Sequence, residues 1–289
     1  MSKQNILLTG CNGQLGSEIR ALENQYEDYC FFNTDVNELD ITNQLAVEHF
    51  VASHEISGIV NCAAYTAVDK AESAKEQCTT LNTVAPAYLA AAVEKRGGWM
   101  IHISTDYVFN GTKHTPYLES DTPSPDSVYG STKLAGELGV TKFCSRSMII
   151  RTAWLYSPFG NNFVKTMIRL GSERSELGVI FDQIGTPTYA HDLAQAILTI
   201  IVKGIQPGVY HFTDEGVTSW YDFTKSIHRI SGITGCHVRP LHTSEYPTAA
   251  RRPYYSVLDK SKIKTAYDIE IPHWEESLEK CIQRIIEMK

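Results

Sequence analysis

The sequence predicts an α/β fold in which a doubly wound parallel sheet is joined to a smaller, discontinuous α/β lobe. Two observations support this prediction. Short apolar segments alternate with helical segments through the first half of the 289 residues, and a strand-like segment near the N-terminus leads directly into regularly spaced glycines. Such alternation is typical of βαβ units, in which helices connect successive parallel strands. The chain is long enough for one large α/β unit or two closely joined lobes.

Apolar runs bounded by turn residues predict the strands, and longer segments with helical periodicity predict the helices. In the first half, strands are predicted at 5–9, 29–33, 58–62, 99–103 and 147–151, and helices at 14–24, 43–53, 82–96 and 128–144. The alternation ends near residue 155, and the later predicted elements are helix 161–170, strands 178–182 and 209–212, and helices 219–231 and 275–287. Residues 1–155 are therefore expected to form one domain and residues 156–289 mainly a second lobe. The apolar helix 190–203 is expected to pack back on the first sheet.

Three glycines follow the first predicted strand at intervals of three residues: Gly10, Gly13 and Gly16. Gly10 would permit a tight turn, Gly13 would let backbone N–H groups approach a pyrophosphate, and Gly16 would allow close packing of helix on strand. A glycine triplet alone also fits an ordinary loop. Its position directly after the strand favours a dinucleotide-binding domain of the Rossmann type in residues 1–155.

A tyrosine and a lysine lie four residues apart in a predicted helix, so Tyr129 and Lys133 share one face. A phenol with a pKa of about 10 is a poor proton donor at neutral pH, and a nearby ammonium group would lower that pKa. This spacing is expected about once by chance, and Tyr221 and Lys225 repeat it. The glycine loop and the strand that ends at Thr105 favour the first pair as the functional one.

Composition and charge exclude several classes of function. The net charge of −7 argues against nucleic-acid binding. No apolar run approaches the roughly 18 residues of a membrane span, and a strand begins almost at the N-terminus, which leaves no room for a signal peptide. Seven cysteines are scattered without Cys-x-x-Cys spacing, a pattern typical of reduced thiols. The sequence therefore predicts a cytoplasmic protein that binds neither nucleic acid nor a membrane.

Four motifs together resemble those of the extended short-chain dehydrogenase/reductases that act on nucleotide sugars. They are Gly10-x-x-Gly13-x-x-Gly16, Asn61-Cys62-Ala63-Ala64, Ser104-Thr105-Asp106 and Tyr129-x-x-x-Lys133. Longer segments resemble one branch of this superfamily, the dTDP-4-dehydrorhamnose reductases: 62–72, 104–109, 151–156, 160–167, 182–188 and 250–253. The segments follow the family's order from residue 5 to about 258, so the resemblance covers nearly the whole chain.

The resemblance implies NADPH or NADH as the cofactor. Asp35, after the second predicted strand, would accept a hydrogen bond from a ribose 2′-hydroxyl and repel a 2′-phosphate. No arginine lies near Asp35 in the sequence, so electrostatics alone favours NADH, whereas the family commonly uses NADPH, and both stay open. A solvated turn residue is the alternative for Asp35. The predicted cofactor site comprises Gly10, Asn12, Gly13, Gln14, Leu15, Gly16, Asp35, Asp40, Ile41, Ala63, Ala64, Tyr65, Thr66, Ile103, Tyr129 and Lys133.

The resemblance also implies the reaction, which is reduction of the C4 ketone of dTDP-4-dehydro-β-L-rhamnose to dTDP-β-L-rhamnose. Tyr129 would donate a proton to the ketone oxygen, which gains negative charge during hydride transfer. Lys133 would lower the pKa of the tyrosine and hold the nicotinamide ribose. Thr105 would orient the sugar oxygen. These three residues form the predicted catalytic set.

A second group of residues is predicted to bind the dTDP-sugar. Tyr107 and Trp154 match positions that pack on the deoxysugar ring, although either could be a core aromatic. In Arg251-Arg252-Pro253, a guanidinium suits the diphosphate, although adjacent arginines are commonly solvated. The predicted substrate site comprises Thr105, Asp106, Tyr107, Trp154, Asn161, Lys165, Gln183 and Arg251.

Related chemistries leave alternatives. Nucleotide-sugar 4,6-dehydratases of the superfamily carry Thr-Asp-Glu where this chain has Thr105-Asp106-Tyr107, and the missing glutamate favours reduction over elimination. Another nucleotide-sugar reductase or an epimerase would share the tyrosine–lysine chemistry. A relative of the family serves as the non-catalytic regulatory subunit of methionine adenosyltransferase, but the intact predicted catalytic set argues against a purely regulatory role.

Some relatives dimerise through Mg²⁺ held by acidic side chains. Glu18 matches one such ligand, whereas Ala190-His191-Asp192 stands where further acids are expected. The predicted site residues therefore include no metal ligand. Mg²⁺ and a homodimer are left as alternatives implied by the resemblance.

Overall fold

The computed structural model of the protein describes residues 3–288. Its strands are β1 (Gln4–Thr9), β2 (Tyr29–Thr34), β3 (Gly58–Asn61), β4 (Trp99–Thr105), β5 (Ser147–Thr152), β6 (Leu155–Tyr156), β7 (Glu176–Ile180), β8 (Ile184–Gly185), β9 (Thr188–Tyr189), β10 (Gly208–His211), β11 (Thr218–Ser219) and β12 (His237–Leu241). Six of them form the central sheet in the order β10-β5-β4-β3-β1-β2, and every pairing in it is parallel. The predicted doubly wound parallel sheet is therefore confirmed.

The helices follow in the same chain order. They are α1 (Gln14–Leu22), α2 (Gln44–Ser53), α3 (Val68–Ala71), α4 (Lys75–Thr79), α5 (Ala85–Glu94), α6 (Val128–Phe143), α7 (Phe163–Glu173), α8 (Ala190–Lys203), α9 (Trp220–Ile230), α10 (Ser261–Tyr267) and α11 (Trp274–Glu287). Side chains of Asn43, Ser127, Asn162 and Ser219 accept a hydrogen bond from the first turn of α2, α6, α7 and α9. These small polar residues are typical N-caps, which explains where the four helices begin.

The core of the first domain lies on both faces of the central sheet. Along β1, Ile6 and Leu8 face one apolar cluster and Leu7 faces another, because successive strand residues point to opposite faces. The first cluster includes residues of α1, α8 and α10, and the second includes residues of α2 and α5. Helix α8 thus packs beside α1 on the central sheet, and β10 pairs with β5 at its edge.

Several elements that follow β5 surround a third apolar cluster. Helices α7, α9 and α11 contribute Val164, Phe223 and Leu278, and the parallel pair β7 and β12 contributes Leu177 and Val238. This cluster is separate from the two sheet clusters, and Tyr156 of β6, shortly after β5, packs in it. The division between two lobes itself stays a prediction.

Several predicted boundaries need correction. The sequence predicts a helix that begins at residue 82. In the structure, α4 continues without a break through a π-helical turn at Thr80–Val84 into α5. The strand predicted at 178–182 is β7, which ends two residues earlier. Strand β12 contains Pro240 and helix α10 is only seven residues long, so neither gave a clear local signal.

Candidate active site

A cleft of about 1080 Å³ opens at the carboxyl ends of the central strands. Its walls include Thr9 at the end of β1, Cys62 after β3 and Thr105 at the end of β4. Strands β2 and β3 lie on either side of β1, so the order of the sheet reverses there. Ligands of doubly wound sheets bind at such a switch point, because the loops on either side diverge and leave a crevice.

The glycine loop forms one end of this cleft. Gly10 has a φ of +65°, a conformation that glycine adopts without strain. A Cβ at Gly16 would overlap the carbonyl oxygen of Gly10, so only glycine permits this contact between α1 and the loop. No side chain caps the N-terminus of α1 at Gly13. The first N–H groups of the helix therefore stay available to an anion.

The three residues of the predicted catalytic set line the same cleft. Thr105 ends β4, and its hydroxyl donates to Asp106 Oδ1 over 3.0 Å. Tyr129 and Lys133 lie on α6, one turn apart. The Lys133 ammonium is almost fully buried and donates to the carbonyl oxygen of Ile103 over 2.6 Å. This bond fixes the lysine against β4 at the floor of the cleft.

Burial shifts the protonation equilibria of this group. Burial raises the pKa of Tyr129 well above its usual value, and a hydrogen bond with Thr105 lowers it by less, so the lowering of this pKa expected from Lys133 is not found. Burial lowers the pKa of Lys133 to about 8, against the opposing charge of Glu137. Burial also raises the pKa of Asp106 to about 6. At neutral pH, Tyr129 is therefore a neutral phenol and Lys133 mainly a cation.

A buried chain of hydrogen bonds leads from β1 to His102, which lies beside Lys133. The Asn61 side-chain oxygen accepts from Thr9 Oγ1 over 2.6 Å and from Ala63 N over 3.2 Å, so the amide nitrogen faces His102 Nδ1 at 2.9 Å. His102 Nδ1 must then accept, which leaves a neutral imidazole with its proton on Nε2. Burial and the charge of Lys133 both lower the pKa of His102, which agrees with this state.

Aromatic side chains form another part of the cleft wall. The rings of Tyr107 and Tyr129 meet edge to face, with their centroids 5.5 Å apart. The Trp154 ring stacks on Trp220 at 3.5 Å between centroids, and its backbone has a φ of +50°, which is strained for tryptophan. These faces suit the C–H surface of a deoxysugar. Asp106 Oδ2, nearby and buried, has no hydrogen-bond partner among the described residues.

Two acidic residues lie along the β2 end of the cleft. Asp35 Oδ2 accepts from Asn12 N over 3.2 Å, and its Oδ1 accepts from Val36 N over 2.9 Å. Asp40 Oδ1 accepts from the backbone N–H and the hydroxyl of Thr42, and the hydroxyl bond above all lowers the pKa of Asp40. Asp35 thus stands next to the glycine loop, where a ribose would lie.

Most of the predicted site residues meet in this one cleft. Those that line it are Gly10, Gly13, Gln14, Leu15, Gly16, Asp35, Asp40, Ile41, Ala63, Ala64, Thr66, Ile103, Thr105, Asp106, Tyr107, Tyr129, Lys133, Trp154 and Asn161. The predicted site residues that do not line it are Asn12, Tyr65, Lys165, Gln183 and Arg251. Their proposed roles stay predictions.

The residues away from the wall have other contacts. The backbone of Tyr65 is held by the side chain of Asn82. Lys165 Nζ donates to the carbonyl oxygens of Pro158 and Gly160, and Gln183 Nε2 donates to Thr243 Oγ1 over 3.1 Å. Arg251 is exposed and pairs with Asp126 at 3.1 Å.

The structure also places unpredicted residues at the cleft. Asn162 Nδ2 donates to Gln14 Oε1 over 3.0 Å and thereby joins the segment before α7 to the glycine-loop helix. Trp220 and Phe163 complete the aromatic wall. Asn162 and Phe163 lie in a segment with a family resemblance, which was the signal for them. Trp220 carried no signal in the sequence.

Comparison with known proteins agrees with this geometry. The sequence matches the family described as "RmlD substrate binding domain" over residues 4–287. The dTDP-4-dehydrorhamnose reductase of Aggregatibacter actinomycetemcomitans is 40% identical over 94% of this chain and 96% of its own. The chain belongs to the dTDP-4-dehydrorhamnose reductase family. The family resemblance found in the sequence is therefore confirmed.

Solved structures of dTDP-4-dehydrorhamnose reductases are closely similar. The protein from Clostridium acetobutylicum is 44% identical, with a TM-score of 0.93 over 98% of this chain and 100% of that chain. The protein from Bacillus anthracis, solved in complex with NADP, is 38% identical with a TM-score of 0.93 over 98% of this chain and 99% of that chain. A dTDP-glucose 4,6-dehydratase at 19% identity and a TM-score of 0.82 shares the fold.

In this member of the dTDP-4-dehydrorhamnose reductase family, Glu18 is completely buried and fully engaged. Its carboxylate accepts from Ser157 Oγ at 2.8 Å and lies 3.2 Å from His191 Nδ1 and 2.9 Å from Arg284 Nη1. Burial raises the pKa of Glu18, but these bonds lower it by more. Within residues 3–288, no group of three or more His, Cys, Asp or Glu side chains is arranged to hold a metal ion. None of the helices in that range has the length and apolarity needed to cross a membrane.

Proposed function

We propose that this chain reduces the C4 ketone of dTDP-4-dehydro-β-L-rhamnose to dTDP-β-L-rhamnose, with NADPH or NADH, in dTDP-rhamnose biosynthesis. The observation that carries the proposal is the meeting of Thr105, Tyr129 and Lys133 in one cleft beside the glycine loop. Relatives that cover nearly the whole chain are named for this reduction, and one is solved with NADP.

The residues present fit a dinucleotide. The uncapped N-terminus of α1 offers N–H groups and a positive helix end to a pyrophosphate. The cleft is long enough to place Asp35 at one end and Lys133 further in. The bound dinucleotide would supply the hydride. Lys133, held by Ile103, would keep its remaining N–H groups for the nicotinamide ribose.

Proton transfer falls to Tyr129. Reduction of a ketone needs a protonated donor, because negative charge develops on the carbonyl oxygen as the hydride adds. The Tyr129 phenol is protonated before the reaction, and its raised pKa makes it a weaker acid than a free tyrosine. The Thr105 hydroxyl lines the same cleft as that phenol and would orient the sugar oxygen between them.

The sugar would lie between the catalytic residues and the aromatic wall. Tyr107 and Trp154 present flat faces to its apolar side, and Trp220 holds the indole of Trp154 in place. Arg251, which is exposed, would exchange its ion pair with Asp126 for the diphosphate. A homodimer and a cytoplasmic location stay predictions.

The test is incubation of the purified chain with dTDP-4-dehydrorhamnose and either NADPH or NADH. We expect stoichiometric oxidation of the dinucleotide and formation of dTDP-rhamnose, identified by NMR. The corresponding UDP-sugar serves as the matched control for base recognition. Tightly co-purifying NAD with no net oxidation of NADPH would indicate an epimerase. A stable protein partner without reductase activity would indicate a regulatory subunit.

A further inference from the structure

A positively charged side chain lies beside the glycine loop, where the sequence gave no indication of one. Arg20 Nη1 donates to Asn12 Oδ1 over 3.0 Å. The backbone N–H of Asn12 in turn donates to Asp35 Oδ2 over 3.2 Å. A guanidinium, a loop amide and a carboxylate thus follow one another at the carboxyl ends of β1 and β2. Arg20 is 15 residues from Asp35 in the sequence but lies near it in the fold.

Helix geometry explains why this proximity is hidden in the sequence. Arg20 follows Gln14, the first residue of α1, by six residues, which is about 9 Å along the axis. Side chains of a helix lean toward its N-terminus, and arginine is long enough to span most of that distance. A residue in the last turn of α1 can therefore reach back to the loop that precedes the helix.

The charge of Arg20 is available to a ligand. The residue is exposed, and it forms no ion pair with any carboxylate in residues 3–288. The charges of Arg20 and Asp35 both act on the Cys11 thiol. Burial raises the pKa of the Cys11 thiol, Arg20 lowers it, and Asp35 and Glu38 raise it, so all three charges act on one side chain.

We propose that Arg20 is a specificity-determining residue that binds the 2′-phosphate of NADPH, while Asp35 accepts the 2′-hydroxyl of NADH. The inference rests on the proposed function, because it requires the adenosine ribose to lie beside the glycine loop. A guanidinium pairs with phosphate through two parallel hydrogen bonds. Arg20 would exchange its single bond to Asn12 for this pairing. The positive charge would also offset the repulsion between Asp35 and the 2′-phosphate.

A structural role makes a different prediction. The bond from Arg20 to Asn12 steadies the glycine loop. Loss of that bond alone would weaken both dinucleotides alike. Only a direct contact with the 2′-phosphate changes NADPH binding and spares NADH binding.

The test is the dissociation constant of NADPH and of NADH, measured without sugar by nicotinamide fluorescence on the whole chain. Arg20→Ala should weaken NADPH binding by about tenfold and change NADH binding by less than about twofold. Arg20→Lys should restore most of the NADPH affinity. Lys142→Ala, which removes an equal charge from α6, is the matched control. The effect should shrink as salt is raised, because Arg20 is exposed.

The outcomes separate the two proposals. Equal weakening of both dinucleotides by Arg20→Ala would show a structural role and overturn the inference. An unchanged ratio of the two dissociation constants would do the same. If the unmodified chain binds neither dinucleotide, the cofactor site fails and the proposed function fails with it. If the unmodified chain binds both dinucleotides and the Arg20 variants bind them with wild-type affinity, the inference about Arg20 fails. The proposed function still stands in that case.

Discussion

We expect Asp106 to lower the stability of the folded protein, because its carboxylate is buried in the cleft and burial disfavours the ionised form. The residue is 2% exposed, and one oxygen accepts from Thr105. The other oxygen has no hydrogen bond of good geometry among the described residues, although the Ser256 hydroxyl is near enough to lower the pKa of Asp106 in part. Asp106→Asn keeps the shape and removes the charge. We therefore predict that the variant is more stable than the wild type at neutral pH, with weaker turnover of the sugar.

The magnitude follows from the raised pKa. Burial moves the pKa of Asp106 from 3.8 to about 6. At about 1.4 kcal/mol for each pH unit, ionisation of Asp106 costs the folded state about 3 kcal/mol above pH 6. An unpaired amide group in the variant would reduce the gain by about 1 kcal/mol. The expected net stabilisation at pH 7.5 is about 2 kcal/mol.

The sign of the pH dependence is fixed by the direction of the shift. The folded state binds this proton more tightly than the unfolded chain does. Wild-type stability therefore falls as pH rises from about 4 to about 6, and the asparagine variant lacks this term. The advantage of the variant should shrink by about 1.5 kcal/mol between pH 7.5 and pH 5. Urea unfolding of both proteins at the two pH values measures this change. Burial also raises the pKa values of Asp192 and Asp214, but both proteins contain these residues, so their effect on stability cancels in the difference.

The reasoning would be refuted by a variant that is less stable at pH 7.5. It would also be refuted by a difference that does not change between the two pH values. Either result would mean that the folded protein solvates the Asp106 carboxylate well. The raised pKa would then have no basis in burial.

Three further predictions concern the cofactor and substrate. The kcat/KM should fall above about pH 8 as Lys133 loses its proton, and Lys133→Arg should abolish that decline; a decline that persists in the variant would assign it to another group. Asp35→Ala should shift the ratio of kcat/KM values toward NADPH by about tenfold, and an unchanged ratio would make Asp35 a turn residue. Arg251→Ala should raise the KM for the nucleotide sugar by about tenfold and leave the KM for NADPH unchanged. An equal rise in KM for the sugar and for NADPH would indicate damage to the lobe. Lys142→Ala, which removes a positive charge elsewhere, is the control and should leave both KM values unchanged.

The central sheet could be predicted because its signals are local. Each strand from β1 to β5 is a short apolar run, and the helices between them have caps and periodicity within a few residues. Strand β12 pairs with β7 across about 60 residues of chain and contains Pro240, so its pairing is decided by tertiary contacts. The π-helical turn before α5 is another such case. Its Asn82 side chain bonds to both backbone groups of Tyr65.

The candidate site divides in the same way. The glycine loop and the Tyr129 and Lys133 pair are motifs within one segment, so spacing and resemblance were enough to indicate them. Arg20 and Trp220 act across the fold, and no local pattern shows what they contact. The neighbours Arg251 and Arg252 show the limit of spacing. Arg252 forms a bidentate pair with Asp69 at 2.7 and 3.0 Å and is a structural residue, although it is adjacent to Arg251 in the sequence.

The central claim is that Tyr129 gives its proton to the ketone oxygen in this cleft. The most direct measurement is kcat of Tyr129→Phe with dTDP-4-dehydrorhamnose, together with the dissociation constant of NADPH. We predict a fall in kcat of about 10²–10⁴-fold, because general acid catalysis commonly contributes that much. Cofactor binding should change by less than about twofold, and Tyr221→Phe should leave kcat unchanged. A Tyr129→Phe variant that keeps more than about half of the wild-type kcat would contradict the account.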